Sequence, residues 1–519
     1  MRSTLRSIKF IALTWIFLLL SWRGALGQLA VSNLAEYQLG NLPHTDPPTL
    51  TTLYDQLNVD YYYQNILLGL RLESFRASEL DRKFFEVTQK YMEAQTDHLS
   101  LRIGNFYAIL GRGIVLRAFE LPGVVLEDQV YRRRYSFSRD LEGVLLKGMW
   151  RKSEFTLLRG EPLDSSLPPG VENLERRQRL VEGGELRLRP WNWLTLGGTY
   201  VRLNKNEGHQ EVASAFWGGS LRSLVEILKV KDMDLDFYGE YAQVQGELSS
   251  FLSLEADQPH ALYLSFNFLF RNLGLSIEYK DYQSFDLGIN DPPYLVKEHN
   301  LTLLNRSTHI LLPQNERGYQ IEGNYKISSY ANAVFNVSRA VNDLLGRETK
   351  FEERYGEILM NFKPNVSTTL FYDHGKDEFD FIKDRDTWGS TVEWQPDYAY
   401  GLKLDFQCQR VTRSFTSDKE EVFRNHFLSL SFSKSPQVIF SLIGEKSTDP
   451  FETDDKETVD ILEDDPEYWL GVNVNYQISV EHELNLFYGD RRGGPACNAG
   501  TCYEVLPFEG LEMRLVSRF

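Results

Sequence analysis

Ala261-Leu262-Tyr263-Leu264-Ser265-Phe266-Asn267-Phe268-Leu269-Phe270, then Arg271-Asn272, then Leu273-Gly274-Leu275-Ser276-Ile277-Glu278-Tyr279-Lys280 is the stretch whose reading decides the architecture. Successive side chains on a strand point to opposite faces. One face of the first run carries Leu262, Leu264, Phe266, Phe268 and Phe270, and the other Ala261, Tyr263, Ser265, Asn267 and Leu269. After the break, Leu273, Leu275, Ile277 and Tyr279 oppose Gly274, Ser276, Glu278 and Lys280. Two alternating runs joined by two residues read as a tight β-hairpin. A β-sandwich alternates as well, with one face in a shared core and the other in solvent. The choice of architecture therefore rests on the rest of the chain.

Working outward, the same alternation recurs in 24 segments, the first near residues 30–38 and the last at 508–519. The connections between them follow a parity. Gln64-Asn65, Arg151-Lys152, Pro190–Trp193, Arg271-Asn272, Ser328–Tyr330, Lys363–Asn365, Lys434–Pro436 and Ser479–Glu481 are short. Residues 160–179, 283–317, 377–385, 446–467 and 491–507 form long polar connections between them. Short turns at one end and long loops at the other are the asymmetry of a transmembrane barrel, which a sandwich has no reason to keep. The expected fold is all-β: one large antiparallel up-and-down barrel of about 24 strands, within a range of about 20 to 26. The parity returns the C-terminus to the short-turn side.

Composition fits that reading. Aromatic residues make up 13% of the chain, and no apolar run past the N-terminus is long enough for a spanning helix. Mean hydropathy is −0.36, as expected where only every second strand residue meets lipid. Tyr61-Tyr62-Tyr63, Trp191, Trp193, Tyr330, Trp394, Tyr398, Tyr400, Tyr468 and Trp469 cluster at strand ends, where amphipathic rings suit a lipid–water boundary. Arg2, Arg6 and Lys9 precede an apolar stretch from Phe10 to Trp22 and the small-x-small site Ala25-Leu26-Gly27. This predicts a cleaved secretory signal over residues 1–27 and one barrel domain over 28–519. Removing four basic residues from 56 leaves 52, so the formal charge of the remainder is 52 − 73 = −21. That excess argues against a nucleic-acid partner, which needs a basic face.

The final segment sets Leu511, Met513, Leu515, Ser517 and Phe519 against Glu512, Arg514, Val516 and Arg518. A last strand of alternating apolar positions with a terminal Phe resembles the insertion signal read by the outer-membrane barrel assembly machinery. Taken together, these features resemble a porin-like bacterial outer-membrane barrel. Leu101–Glu120 (LRIGNFYAILGRGIVLRAFE) also resembles a motif in an uncharacterised family of large outer-membrane barrels. The resemblance implies the bacterial outer membrane as location and no particular activity. Outer-membrane lipid and lipopolysaccharide are the expected surroundings, with a lipoprotein or surface partner as a further expectation.

Candidate functional residues concentrate in the connection 108–142, which carries Arg112, Arg117, Arg132, Arg133, Arg134 and Arg139 among several acids. Folded inward, opposed charges of this kind constrict a pore and select ions. The alternatives are an extra strand pair in the wall beginning at Gly111-Arg112-Gly113, or an external loop. Inward strand faces carry charges of both signs, Arg71, Glu73, Glu185, Arg187, Glu278, Lys280, Glu512 and Arg514 among them, as a wetted lumen tolerates. Cys497 and Cys502 flank a short Gly-containing loop, where export permits a disulfide; a metal pair is the alternative, but no His or acidic ligand lies inside the loop. Cys408 falls on the outward face with Leu402, Leu404 and Phe406, which predicts a lipid-facing thiol. The acidic run between Asp449 and Glu467 reads as a solvated loop, with Ca²⁺ or lipopolysaccharide bridging as the alternative, since the order of a calcium loop is absent. The nine histidines have no metal spacing, and His374 beside Asp373 is the best acid/base pair. No enzyme activity, cofactor or metal is expected. The sequence points to a channel for polar solutes, or alternatively to a structural or assembly barrel that anchors a partner and conducts little.

Overall fold

The structure is a computed structural model. It describes residues 27–519 except 80–81, 164–166, 172–178, 206–207, 221–232, 246–258, 311–314, 345, 364, 417–418, 454–465 and 499–500. The signal over 1–27, Gly27 apart, and most of the acidic loop therefore lie outside the described residues.

Alternating apolar segments build a single 24-stranded antiparallel sheet that closes on itself. The first strand, Gln28–Asn41, pairs with the second, Leu50–Tyr63, on one side and with the last, Phe508–Arg518, on the other. Closure removes the free edges that an open sheet would present. Each of the 24 segments expected from alternation coincides with a wall strand, to within a few residues at the ends. Among the described residues no helix is long and apolar enough to cross a membrane.

The opening stretch forms the hairpin it predicts. His260–Phe270 and Leu273–Gln283 pair in continuous register, with Phe270 opposite Leu273. Ala261, Tyr263, Ser265 and Lys280 face inward and are buried, while Leu264, Phe266 and Ile277 remain 37–38% exposed on the outer face. Outward apolar side chains recur around the ring, as at Leu428, Leu430 and Phe432. Such a continuous band suits hydrocarbon, because every backbone polar group inside it is satisfied by the ladder. At the short-turn end Trp150, Trp191, Tyr330, Phe362, Trp394, Tyr398 and Phe519 project outward, and Trp191 stacks on Trp193. Three two-residue turns there start with a non-glycine residue in the left-handed region: Gln64, Arg151 and Arg271, at φ 50–53°. Each costs roughly 1 kcal/mol, which the long paired strands on either side offset.

The end-to-end asymmetry is less strict than connection length implied. The connections 107–140, 163–179, 246–259, 284–314, 448–466 and 492–507 all lie at one end, but that end also has the two-residue connections 206–207, 345–346 and 417–418. The opposite end holds one longer connection, 221–232. Cys408 differs from expectation in exposure. Parity keeps it on the outer face, yet it is only 9% exposed. Its cross-strand partners are Trp388 and His426, and its Sγ lies 3.1 Å from His426 Nδ1. Larger neighbours cover a small side chain, so the thiol does not meet lipid.

Candidate functional site

Three of the long connections turn into the barrel and meet inside it. The first, residues 107–140, forms two small hairpins, Ala108–Leu110 with Leu116–Ala118 and Glu120–Glu127 with Arg134–Ser138. Neither joins the wall sheet. Of the three readings of the sequence, the inward fold holds; the segment is neither an external loop nor an extra strand pair of the wall, since its strands pair only with one another. Glycine is required at its first turn, where Gly111 and Gly113 have φ +58° and +86°. A Cβ at Gly111 would also fall on the Glu240 carboxylate.

This segment reaches nearly across the ring. Its backbone N–H groups at Gly111 and Arg112 donate to Glu185 and Glu240, at 2.5 and 2.9 Å, on the eighth and eleventh strands. At its other end Arg134 pairs with Glu36 and Glu512, at 2.8 and 3.3 Å, on the first and last strands. Ser136 donates to Glu73, and Arg71 pairs with Glu120 at 2.9 Å. Apolar contacts reinforce these polar ones. Leu110, Ile114, Val115 and Leu116 pack with the wall residues Val181, Val201, Val212 and Ala261. Water is excluded there, so this part of the lumen is a dry core rather than a channel surface.

Residues 284–310 form the second insertion, with one helical turn at Thr302–Arg306. Lys297 pairs with Glu322 at 2.6 Å, the Leu303 N–H donates to Gln407 at 3.0 Å, and Arg306 forks onto Glu445. Arg385, from the wall, donates to the Ser307 carbonyl at 2.6 Å. The third insertion is the hairpin Gly494–Asn498 with Thr501–Val505, closed by a Cys497–Cys502 disulfide. The three hold one another. Arg117 pairs with Asp291 at 2.9 Å, and Asn305 exchanges hydrogen bonds with the Cys497 backbone at 2.9 and 3.0 Å.

Electrostatics follow from burial against paired charge. Burial would lower the pKa of the Arg134 guanidinium, but Glu36, Glu512 and Glu127 hold it above its ordinary value. Burial would raise the Glu120 carboxyl, yet Arg71 keeps it below the usual range. At Asp291 burial prevails and the carboxyl is pushed up despite Arg117 and Arg139. Burial would lower His309, but its hydrogen bond to Asp377 at 2.7 Å and the nearby Glu316 push it up to about 9.

The six arginines singled out by sequence do not form one constriction ring. Arg134 is buried and bridges the wall, Arg132 pairs with Glu127 within its own hairpin, and Arg133 donates to the Pro169 carbonyl. Arg117 and Arg139 sit beside Asp291, at 2.9 and 3.8 Å. Arg112 lies over the Tyr238 ring, 4.7 Å from its centroid. Between the first insertion and the wall, a cavity of about 550 Å³ is lined by Arg71, Arg102, Glu120, Arg514 and Arg518 among others. His374 and Asp373 point to opposite faces: His374 pairs with Asp386 at 3.0 Å, whereas Asp373 is buried against Arg385. In the acidic loop, Asp449 forks onto Arg413 and Glu452 pairs with Arg492. Leu511, Met513 and Leu515 follow the outward parity, and Phe519 contacts the His482 ring. The second insertion went unnoticed in the sequence because its anchors, Lys297, His299, Arg306 and His309, have no regular spacing.

The chain is similar to several solved structures at low identity. One is the outer membrane protein opdK from Pseudomonas aeruginosa, at 11% identity over 70% of this chain and 97% of that one, with a TM-score of 0.39. Another is a BenF-like porin from Pseudomonas fluorescens Pf-5, at 9% identity over 71% and 97%, TM-score 0.39. The siderophore receptor PirA from P. aeruginosa matches at 8% identity over 95% and 80%, TM-score 0.42. At such scores nothing about solute or mechanism carries over. Comparison with curated protein sequences gives no match. A family profile, by contrast, covers residues 41–519, nearly the whole barrel, and the chain accordingly belongs to the family of unknown function DUF6029.

Proposed function

We propose that this chain is a bacterial outer-membrane channel for polar solutes, closed at rest by the segments folded into its lumen. The observation that carries the reading is the first insertion, held by ion pairs to the first and last strands at one end and by a backbone hydrogen bond to Glu240 on the eleventh near the other. A ring of 24 strands is wide enough to leak freely if empty, since barrels of 16–18 strands already hold aqueous channels and those of about 22 are plugged. The ion pairs at the Arg134 end can be replaced by water when that end lifts, whereas the apolar contacts of Leu110, Ile114, Val115 and Leu116 hold the other end in place. Arg112 and Arg139, the more exposed members of the arginine set, would then face the passing solute. The apolar exterior and aromatic short-turn end support the membrane location, and the sequence expectation of a secretory signal supports export to it.

Planar-bilayer recording tests this. The purified wild-type protein should be mostly closed, and replacing residues 108–139 with a short turn should produce large, long-lived open steps. A correctly folded deletion barrel that remains electrically silent would refute the channel and favour the structural alternative, a barrel that anchors a lipoprotein or surface partner.

A further inference from the structure

Three ligand-type side chains meet where the second insertion touches the wall. His299 comes from the insertion, Glu353 from the strand Arg347–Lys363, and Asp373 from the strand Val366–Asp377. One ligand atom from each lies within 4.8 Å of the others. The residues are 3%, 1% and 0% exposed. Their polar atoms are poorly matched by donors. Both His299 ring nitrogens, Glu353 Oε2 and Asp373 Oδ2 are buried with no hydrogen-bond partner, and the nearest approach is His299 Nε2 to Glu353 Oε1 at 3.4 Å. Leaving a buried polar atom unpaired costs about 1–3 kcal/mol. An imidazole and two carboxylates, each offering one ligand atom within 4.8 Å of the others and each with an unpartnered buried polar atom, form an arrangement that a single electrophile satisfies.

We propose that His299, Glu353 and Asp373 form a binding site for a first-row divalent cation of the zinc type, with water completing its coordination. An imidazole beside two carboxylates suits such borderline ions, whereas Ca²⁺ and Mg²⁺ favour all-oxygen sites. Arg385 occupies the other oxygen of each carboxylate, reaching Glu353 Oε1 at 2.8 Å and Asp373 Oδ1 at 3.0 Å. It therefore fixes the two carboxylates, as outer partners of metal ligands do, and leaves Oε2 and Oδ2 without a hydrogen bond. With a neutral His299, two carboxylates and one guanidinium leave a net charge of −1 in a dry pocket, which a cation counters. Metal–ligand distances of about 2.0–2.2 Å require the three side chains to draw inward. Because one ligand belongs to the insertion and two belong to the wall, the ion would clip the insertion in place.

The test uses the full-length mature barrel in detergent, stripped with chelator, dialysed against Zn²⁺ and analysed for metal by mass spectrometry. Stoichiometric zinc is expected in the wild type, with affinity lowered by about 10–100-fold or more in His299→Ala and Glu353→Gln. His44→Ala, at an exposed loop position, should bind like wild type. Co²⁺ substitution should give a low-symmetry visible spectrum that His299→Ala abolishes. Heat-modifiable gel mobility verifies that each variant is folded. Zinc no higher in wild type than in a folded His299→Ala barrel overturns the assignment, as does a cobalt spectrum unchanged by that substitution; ordered water or a shared proton would then fill the pocket. The metal count reads this site whether or not the barrel conducts.

Discussion

Replacing Arg134 with alanine removes one buried cation from three carboxylates at once. Its guanidinium lies 2.8 Å from Glu36, 3.2 Å from Glu127 and 3.3 Å from Glu512, and the side chain is 9% exposed. Breaking a buried pair by removing one partner typically costs about 3–5 kcal/mol, because the other charge is left uncompensated. Here the lower end applies. Glu36 keeps Arg514 at 3.1 Å, and Glu512 keeps Arg491 at 3.3 Å. A loss of about 3 kcal/mol raises the population of the unseated first insertion by about a hundredfold, at about 1.4 kcal/mol per factor of ten. Single-channel recording should show that increase in open probability, and trypsin should cleave faster at Arg132 and Arg133 in proteoliposomes. The double variant Arg134→Ala/Glu36→Gln should recover part of the loss, since it removes one stranded carboxylate. A folded Arg134→Ala barrel with wild-type open probability and wild-type protease resistance would refute the claim that this ion-pair cluster seats the segment.

The second insertion should respond to pH through His309. Its pKa of about 9 in place exceeds the ordinary value near 6.5, so its contribution, up to about 3 kcal/mol, is complete below pH 6.5 and is lost as pH rises through about 9. Protease access to residues 284–310 should increase between pH 6 and 9.5, and His309→Gln should flatten that dependence. Strand parity predicts unequal costs for two arginines placed in one strand: Leu264→Arg, on the outer face, should destabilise the barrel by about 2–4 kcal/mol in vesicle refolding, and Asn267→Arg, facing inward, by much less. Equal costs would mean that the facing is wrong. Cys408, covered by Trp388 and His426, should resist a maleimide in the folded barrel and react once denatured. Deleting Phe519, which pairs its backbone with Val31 and contacts the His482 ring, should reduce the yield of assembled barrel measured by heat-modifiable mobility.

The wall was legible because a strand's side-chain period is two, and a membrane barrel must keep one face apolar along every strand. Leu264 and Lys280 were assigned their faces by counting alone, and the same counting located all 24 strands. The arginines of 108–142 were visible as a cluster, yet a charge in a loop has the same signature whether it faces solvent, lines a pore or anchors a plug. Glu36 and Arg134 are 98 residues apart, and no local pattern links them. The same holds for His299, Glu353 and Asp373, which three different elements bring together.

What the sequence determined by itself is therefore the barrel: alternation, turn spacing and a closing strand at Phe519 are local properties, each set by neighbours within a few residues. Only the tertiary structure decided what fills it. Closing a ring of 24 strands creates an interior, and the ion pairs that hold three insertions within it form between residues separated by up to 378 positions. Those contacts depend on where the ring places each wall residue, a property of the closed sheet that no single strand carries.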